Sequence, residues 1–261
     1  MKDVSVEMRE EGRVALVRFD RGTKANALSL SAMRALTETA LRLAEAPALS
    51  AVVLAGAENF SLGFDLKDGE TASLAALPLA ERRLLLQTGR KMCRAWAELE
   101  CLTIAAVRGW CVGGGVALAG ALDLRVAEPG AVFYAPEIER GMNMSWGSVP
   151  RLVALVGPAR AKRLLILAER WGAAEAERFG LVDEVAEDAE DAALALAARA
   201  AAMPPVPLRM IKQAVEAAAL PLAHAASWAD YDQFALAQTG EDHREGVAAF
   251  AEGRAPRFTG G

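Results

Sequence analysis

Two glycine-containing segments, each placed between a strand-like apolar run and a helix, constrain the fold of this chain more than any other feature. Residues 60–66 (FSLGFDL) follow the apolar run 51–56, and the GGG segment 113–115 follows the apolar run 103–107. Glycine allows sharp backbone turns and close approach to a ligand, and a helix that begins there presents free N–H groups. Two such groups that meet at one point form an oxyanion hole. The alternative is that the glycines only let strands and helices lie close together.

The order of the strand-like and helix-like segments indicates an α/β fold. Short strands come first and helices come last, which is typical of an α/β core followed by a helical portion. The proline-dense break at 203–207 separates a predicted core, residues 1–203, from a predicted C-terminal helical portion, residues 204–261. Strands are predicted at 4–8, 13–19, 51–56, 103–107, 123–127, 131–135 and 181–185. Helices are predicted at 30–46, 78–99, 116–122, 148–157, 158–171, 173–180 and, with breaks at 203–207, 221 and 240, over 188–252.

Composition and charge exclude several classes of protein. The 261 residues are 53% apolar and 24% charged, so disorder is excluded as the main state. The formal net charge of −5 argues against broad nucleic-acid binding, although a local basic patch for a small phosphate is compatible with it. Cys93, Cys101 and Cys111 have no metal-like spacing, which favours a reducing compartment. Because no apolar segment reaches the ~20 residues of a membrane span and the N-terminus lacks a signal-peptide pattern, we expect a cytoplasmic protein with no membrane, nucleic-acid or metal partner.

The common nucleotide, metal and nucleophile motifs are absent or incomplete. Neither G-x-G-x-x-G nor G-x-x-x-x-G-K-[ST] occurs in the glycine segments, so a Rossmann or phosphate-loop site loses its main support. The only histidines are His224 and His243, and the acidic residues before His243 are more typical of an exposed helix start than of a metal site. The segment 143–147 (NMSWG) has Asn where a G-x-S-x-G motif has its first glycine, and a serine nucleophile would need a distant histidine as its base.

Glu137 is the candidate acid–base residue. It follows Pro136 within the apolar run 132–138 (VFYAPEI). If this position is partly desolvated, the pKa of the carboxyl rises toward the range that is useful for general acid–base catalysis. The alternative is a solvated carboxylate in a turn, and the local sequence favours neither.

In their order and spacing, these segments resemble those of the crotonase family, also called the enoyl-CoA hydratase/isomerase superfamily, over nearly the whole chain. The resemblance rests on the segments 24–28 (KANAL), 60–66 (FSLGFDL), 108–115 (RGWCVGGG), 122–127 (LDLRVA), 133–138 (FYAPEI), 150–152 (PRL), 180–185 (GLVDEV) and 254–258 (RAPRF). It implies a spiral core of repeated strand–strand–helix units, followed by C-terminal helices that assemble as homotrimers, often paired as hexamers. It also implies an acyl-CoA substrate and no separate cofactor, because coenzyme A is part of that substrate.

The resemblance also assigns the catalytic roles. The backbone N–H groups of Phe64 and Gly114 would form the oxyanion hole for the thioester oxygen, and Glu137 would move protons. Hydratases of the family carry a second glutamate three residues after the middle glycine, where this chain has Ala117. Addition of water needs one group to activate the water and another to move the α-proton, so two-carboxylate hydration is not expected here.

The substrate contacts that the resemblance implies are mostly backbone groups and basic side chains. Three basic residues would face the CoA phosphates, although each is equally compatible with a plain surface charge: Lys24, Lys67 and Arg257. The backbone around Ala25 and Leu62 would line the pantetheine and adenine, and Phe258 would cover CoA or the acyl chain, from a neighbouring subunit. The other implied substrate-binding residues are Leu28, Gly63, Asp65, Leu66, Gly113 and Pro136.

A single glutamate at position 137 is similar to the pattern of some enoyl-CoA isomerases, in which one carboxylate takes a proton from C2 and returns it to C4. Isomerisation is therefore favoured over hydration, or a related lyase reaction, through one carboxylate. A catalytically weak acyl-CoA-binding protein is a further alternative, which Ala117 favours. Met142, Met144 and Trp146 would be pocket or packing residues. Ser145 stands where some relatives carry an acidic nucleophile, which argues against dehalogenase-type chemistry.

Overall fold

The structure is a computed structural model that describes residues 3–261; Met1 and Lys2, which begin the predicted core, lie outside it. Its strands are β1 (Val4–Arg9), β2 (Val14–Phe19), β3 (Ala51–Ala55), β4 (Leu102–Val107), β5 (Trp110–Val112), β6 (Leu124–Ala127), β7 (Val132–Tyr134), β8 (Trp171–Gly172) and β9 (Glu184–Val185). Its helices are α1 (Leu30–Ala44), α2 (Gly69–Ala72), α3 (Leu79–Ala97), α4 (Gly114–Ala119), α5 (Ser148–Ile166), α6 (Ala173–Phe179), α7 (Ala189–Ala201), α8 (Pro205–Ala219), α9 (Ala223–Ser227), α10 (Asp230–Ala237) and α11 (Glu241–Glu252). The predicted order, with strands first and helices last, is confirmed.

The larger sheet is a buried central layer. Six strands follow the order β1-β2-β3-β4-β6-β9, in which β1 and β2 are antiparallel and the other neighbours are parallel. Every residue of β3 is buried, as expected for a parallel sheet that is covered on both faces. In β2, Ala15 and Val17 face the apolar cluster that includes α1 and α3, whereas Val14 and Leu16 face the cluster that includes α7. The sheet therefore separates α1 and α3 from α7.

The smaller sheet positions the site, and the sequence predicts only one of its strands, β7. Its order is β5-β7-β8, with β5 parallel to β7 and β7 antiparallel to β8. Because β5 and β7 are parallel, the segments that follow them leave the same edge of the sheet. The GGG segment follows β5, and Glu137 lies three residues beyond β7.

Several predicted boundaries were wrong, for reasons that the backbone shows. α4 begins at Gly114 rather than at residue 116, because Gly113 (φ +52°) turns the chain directly from β5 into the helix. The predicted helix 158–171 ends at Ile166, and Trp171 lies in β8, where it pairs with Phe133. The predicted strand 181–185 is reduced to β9. The N–H groups of residues 181 and 182 both donate to one carbonyl of α6, at 2.8 and 3.2 Å, and so close that helix instead.

The last two helices fold back over the chain. α10 contacts α3, and α11 lies on the turn Ile138–Arg140. A Cβ at Gly246 would lie 2.7 Å from the Arg140 Cα, so α11 sits directly against this turn. The division into residues 1–203 and 204–261 stays a prediction. Among the described residues, no helix combines the length and apolar character needed to cross a membrane.

Candidate active site

A cavity of about 480 Å³ lies where the two glycine segments meet the turn after β7 and the helices α1, α3, α10 and α11. Most of the predicted site residues reach it. Those on its wall are Ala25, Leu62, Gly63, Phe64, Asp65, Leu66, Lys67, Gly113, Gly114, Pro136 and Glu137. The structure therefore brings the separate sequence segments to one place.

The two glycine segments converge because the first runs alongside β5. Ser61 donates its N–H to the Trp110 carbonyl (3.1 Å) and accepts from the Val112 N–H (2.8 Å). Gly63 has a φ of +84°, and a Cβ there would lie 2.6 Å from the Val112 oxygen and 3.1 Å from the Gly114 nitrogen. Only glycine permits both this conformation and this approach.

Two backbone N–H groups at this point have no hydrogen-bond acceptor among the described residues. Leu28 donates its N–H to the Gly63 carbonyl (2.7 Å) and accepts from the Asp65 N–H (3.1 Å), so the N–H of the intervening Phe64 takes no part in this pairing. Gly114 is the first residue of α4, and its N–H therefore has no carbonyl partner within the helix. Free N–H groups held in this way stabilise a negatively charged oxygen. Leu28 is buried behind the loop and does not line the cavity.

The carboxylate of Glu137 reaches the same point from the turn after β7. Gly113 donates its N–H to the Tyr134 carbonyl at 2.8 Å, which fixes the two segments side by side. A Cβ at Gly113 would collide with Oε1 of Glu137. The carboxylate therefore fills the position that a Cβ of Gly113 would take, next to the free N–H of Gly114.

Burial raises the pKa of Glu137 from 4.5 to about 7, an effect that its own backbone N–H and the charge of Arg140 partly offset. Oε2 is shielded from solvent and has no hydrogen-bond partner among the described residues. Near neutral pH, both protonation states are therefore populated, which suits a group that takes up and returns a proton. Of the two alternatives left open by the local sequence, the desolvated carboxyl is the one observed.

Ala117 contributes no second carboxylate to the wall. It is buried on α4, one turn after Gly114, and lines the cavity. Asp65 is the other acidic residue on the described wall, and Arg21 holds it at 2.5 Å. Glu137 is thus the one carboxylate on the described wall that has no ion-pair partner.

Besides Leu28, three other predicted contacts are not on the cavity wall: Lys24, Arg257 and Phe258. Lys24 is exposed and forms an ion pair with Glu58 at 3.1 Å. Arg257 and Phe258 lie in the tail after α11, where Arg257 lines a separate groove and donates its N–H to Glu245. Their contribution to substrate binding stays a prediction.

Other residues of the wall were not among the predicted site residues. Trp110 and Tyr134 belong to the smaller sheet. They lie within the segments 108–115 and 133–138 that the resemblance marks, and this position was the available signal. Arg140 lies three residues after Glu137. The others come from distant elements, and no local pattern indicates them. These additional wall residues include Leu85, Leu86, Gly89, Arg140, Phe234 and Phe250.

No metal site is evident in the described part of the chain, where no group of three or more His, Cys, Asp or Glu side chains is suitably placed. α11 begins at Glu241, which confirms the predicted helix start before His243. The ring of His243 lies 2.9 Å from the Arg140 carbonyl. The side chain of His224 lies outside the described residues.

Comparison with known proteins gives consistent results. Residues 9–261 match the sequence model of a family described as enoyl-CoA hydratase/isomerase. A probable enoyl-CoA hydratase, echA8, of Mycobacterium tuberculosis is 33% identical over 258 residues, 98% of either chain. A short-chain-enoyl-CoA hydratase of Clostridium acetobutylicum is 30% identical, over 96% of this chain and 95% of that protein. The crystal structure of an enoyl-CoA hydratase from Mycobacterium avium subsp. paratuberculosis superposes with a TM-score of 0.85 at 27% identity, over 98% of each chain. The predicted fold class is confirmed.

Proposed function

The chain belongs to the enoyl-CoA hydratase/isomerase family, whose members act on CoA thioesters, and from this premise we propose that it is an enoyl-CoA isomerase with Glu137 as its only proton carrier. The substrate is a 3-enoyl-CoA and the product is the conjugated 2-enoyl-CoA. The observation that carries the proposal is a single desolvated carboxyl, with a pKa of about 7, beside two free backbone N–H groups.

Binding of the thioester oxygen is assigned to the N–H groups of Phe64 and Gly114. Removal of a proton from C2 leaves negative charge on this oxygen, and fixed donors stabilise that charge. By analogy with other oxyanion holes, each donor contributes roughly 3–4 kcal/mol to the transition state. The free N–H groups and the forced approach of Gly63 to Gly114 support this assignment.

Glu137 completes the reaction without a second catalytic side chain. Its carboxylate takes the proton from C2, the electrons of that C–H bond delocalise into a dienolate, and the carboxylic acid returns the proton to C4. Nothing is added or lost, so one carboxylate is sufficient. Ala117 on the wall removes the second carboxylate that hydration in this family uses.

The CoA part of the substrate is assigned to the mouth of the cavity. Ala25, Leu62, Leu66 and Lys67 line it there, and the lysine is exposed and free to meet a phosphate. Lys24 lies nearby on the same loop as Ala25. In an assembled homotrimer or hexamer, Arg257 and Phe258 would contribute from a neighbouring subunit.

Assembly and location belong to the same proposal. The face of α8 exposes Val206, Met210 and Ile211 by more than 60% each, which supports burial against other copies of the chain. We expect a homotrimer or a hexamer in the cytoplasm. Light scattering coupled to size exclusion measures the mass, and a monomeric mass at micromolar concentration would contradict the assembly.

Hydration is the second candidate reaction, because similar proteins carry hydratase names. It would require water to be activated without a carboxylate at position 117. A catalytically weak binding protein is the third candidate and is favoured by the same alanine.

The test incubates purified protein separately with a medium-chain 3-enoyl-CoA and with the corresponding 2-enoyl-CoA, because water adds across the conjugated 2,3-double bond. Absorbance of the conjugated product and mass are followed together. Conjugation at unchanged mass supports isomerisation, a gain of one water supports hydration, and binding without either product supports the third candidate. Glu137→Gln should lower turnover by about 10²–10⁴-fold with little change in CoA affinity. The matched control is Glu187→Gln, which changes an exposed glutamate and should leave turnover unchanged.

A further inference from the structure

The indole of Trp146 occupies space that the absence of side chains at two glycines leaves open. A Cβ at Gly89 on α3 would collide with Cδ2, Cε2 and Nε1 of the indole, and a Cβ at Gly114 on α4 would collide with its six-membered ring. The indole therefore fills the space between the two helices. Its ring meets that of Phe64 edge to face, with centroids 6.0 Å apart.

The backbone holds this side chain in place at an energetic cost. Trp146 has a φ of +63°, a conformation that is rare for a bulky residue and costs roughly 1–3 kcal/mol. The next residue, Gly147, donates its N–H to the buried carboxylate of Asp230 at 2.6 Å. The space at Gly89 and Gly114 and the hydrogen bond from Gly147 to Asp230 therefore hold Trp146 in a strained backbone conformation. Strain of this kind is concentrated at functional sites.

The indole of Trp146 and the carboxylate of Glu137 contact two adjacent glycines. Oε1 of Glu137 lies on the Cα of Gly113, and the indole lies on the Cα of Gly114. Consecutive Cα atoms are ~3.8 Å apart, so the carboxylate and the indole flank the peptide whose N–H is free. A thioester held by this N–H has its reacting carbons beside both groups.

The surroundings of the indole are apolar. Ala117, one turn beyond Gly114 on α4, is on the same helix face and lines the same cavity. Phe64 and Met144 also belong to the wall. The part of the wall that Trp146 forms with Ala117, Phe64 and Met144 therefore consists of a methyl group, a thioether and aromatic rings.

We propose that Trp146 is a positioning residue that keeps water away from the carboxyl of Glu137 and from the reacting carbons, so that the proton taken from C2 is the proton returned to C4. This inference rests on the proposed isomerase function. Exclusion of water from a closed site prevents proton leakage to solvent and side reactions with water. Without the indole, solvent would exchange with the proton on Glu137. Water oxygen would also reach C3 of the conjugated product, with one water proton passing through Glu137 to C2.

The test measures isotope content in deuterium oxide. Wild type converts a 3-enoyl-CoA at low conversion, and mass spectrometry gives the deuterium per molecule of 2-enoyl-CoA formed. We expect little deuterium in the wild-type product and about a fivefold higher content with Trp146→Ala, together with some hydrated product. Isotope content per product does not depend on how much of the variant is folded. Trp228→Ala, which removes an exposed indole outside the cavity, is the matched control and should behave as wild type.

The outcomes separate this inference from the proposed function. If wild type forms no conjugated product, the proposed function fails. If the wild-type product already contains as much deuterium as the product of Trp146→Ala, the isomerase function stands and the proposed exclusion of water is wrong. Equal, low deuterium in both proteins also overturns the role of Trp146.

A second variant pair covers the case in which Trp146→Ala does not fold. Trp146→Phe keeps an aromatic wall and should retain a low deuterium content. Gly89→Ala should displace the indole, because its Cβ would occupy the position of ring atoms, and should raise deuterium content about as much as Trp146→Ala. In the double variant Gly89→Ala/Trp146→Ala, the deuterium content should be no higher than in Trp146→Ala alone. An unchanged deuterium content in Gly89→Ala, with the protein folded, would contradict the proposal.

Discussion

Glu137→Gln should stabilise the protein at alkaline pH while it removes turnover. The pKa of Glu137 is 4.5 in the unfolded reference and about 7 in the folded protein. The unfolded chain therefore releases this proton at a lower pH, and stability falls as the pH rises from about 4.5 to about 7. At ~1.4 kcal/mol per pH unit, keeping the carboxylate ionised in the folded protein at pH 8 costs about 3 kcal/mol. Glutamine is neutral and avoids this cost.

Scanning calorimetry of wild type, Glu137→Gln and the exposed control Glu187→Gln at fixed protein concentration measures the effect. A gain of about 3 kcal/mol raises the melting temperature of a chain of this size by roughly 6–12 °C. At pH 5, where the folded wild type is protonated, most of the difference should disappear. A Glu137→Gln variant that melts at or below the wild-type temperature at pH 8 would refute the desolvation argument, whatever its activity.

Three further predictions concern the same wall. The wild-type kcat/KM should rise with pH to a plateau with a midpoint near 7, because the base must be ionised. Arg140→Gln should move this midpoint to higher pH, since it removes a charge that lowers the pKa of Glu137. An unmoved midpoint would contradict the coupling between Arg140 and Glu137. Ala117→Glu supplies the missing carboxylate and should raise formation of the hydrated product by at least about tenfold, measured as a gain of one water. Gly113→Ala introduces a Cβ that collides with Oε1 of Glu137 at a φ of +52°; it should lower kcat by about 10²-fold with CoA affinity measured separately by calorimetric titration and largely retained.

The sequence alone predicts the parts of the site that lie close together along the chain. The predicted strand–glycine–helix order places the GGG segment at the entry to α4, two residues away from the observed helix start, and the Pro-Glu dipeptide marks the turn that carries Glu137. It does not predict that β5 and β7 pair, because strands of three residues carry little periodic signal. That pairing brings Glu137 to Gly113.

Long-range contacts explain the remaining differences. The pKa of Glu137 depends on burial beneath distant elements, which the local run 132–138 does not reveal. α11 returns over the turn Ile138–Arg140 because two glycines allow close approach there, Gly246 against Arg140 and Gly141 against His243. Neither glycine belongs to a motif. The tail with Arg257 lies outside the cavity of its own chain, which only the structure reveals.

The two explanations of the GGG segment turn out to apply to different glycines. Gly115 is a packing glycine, since a Cβ there would lie 2.7 Å from the Ser61 carbonyl. Gly113 and Gly114 instead make room for side chains from elsewhere in the chain, the carboxylate of Glu137 and the indole of Trp146. The backbone N–H of Gly114, between the carboxylate and the indole, is left free. A glycine run therefore does more here than relax the backbone, because the missing Cβ atoms set how closely a base and an apolar wall approach one hydrogen-bond donor.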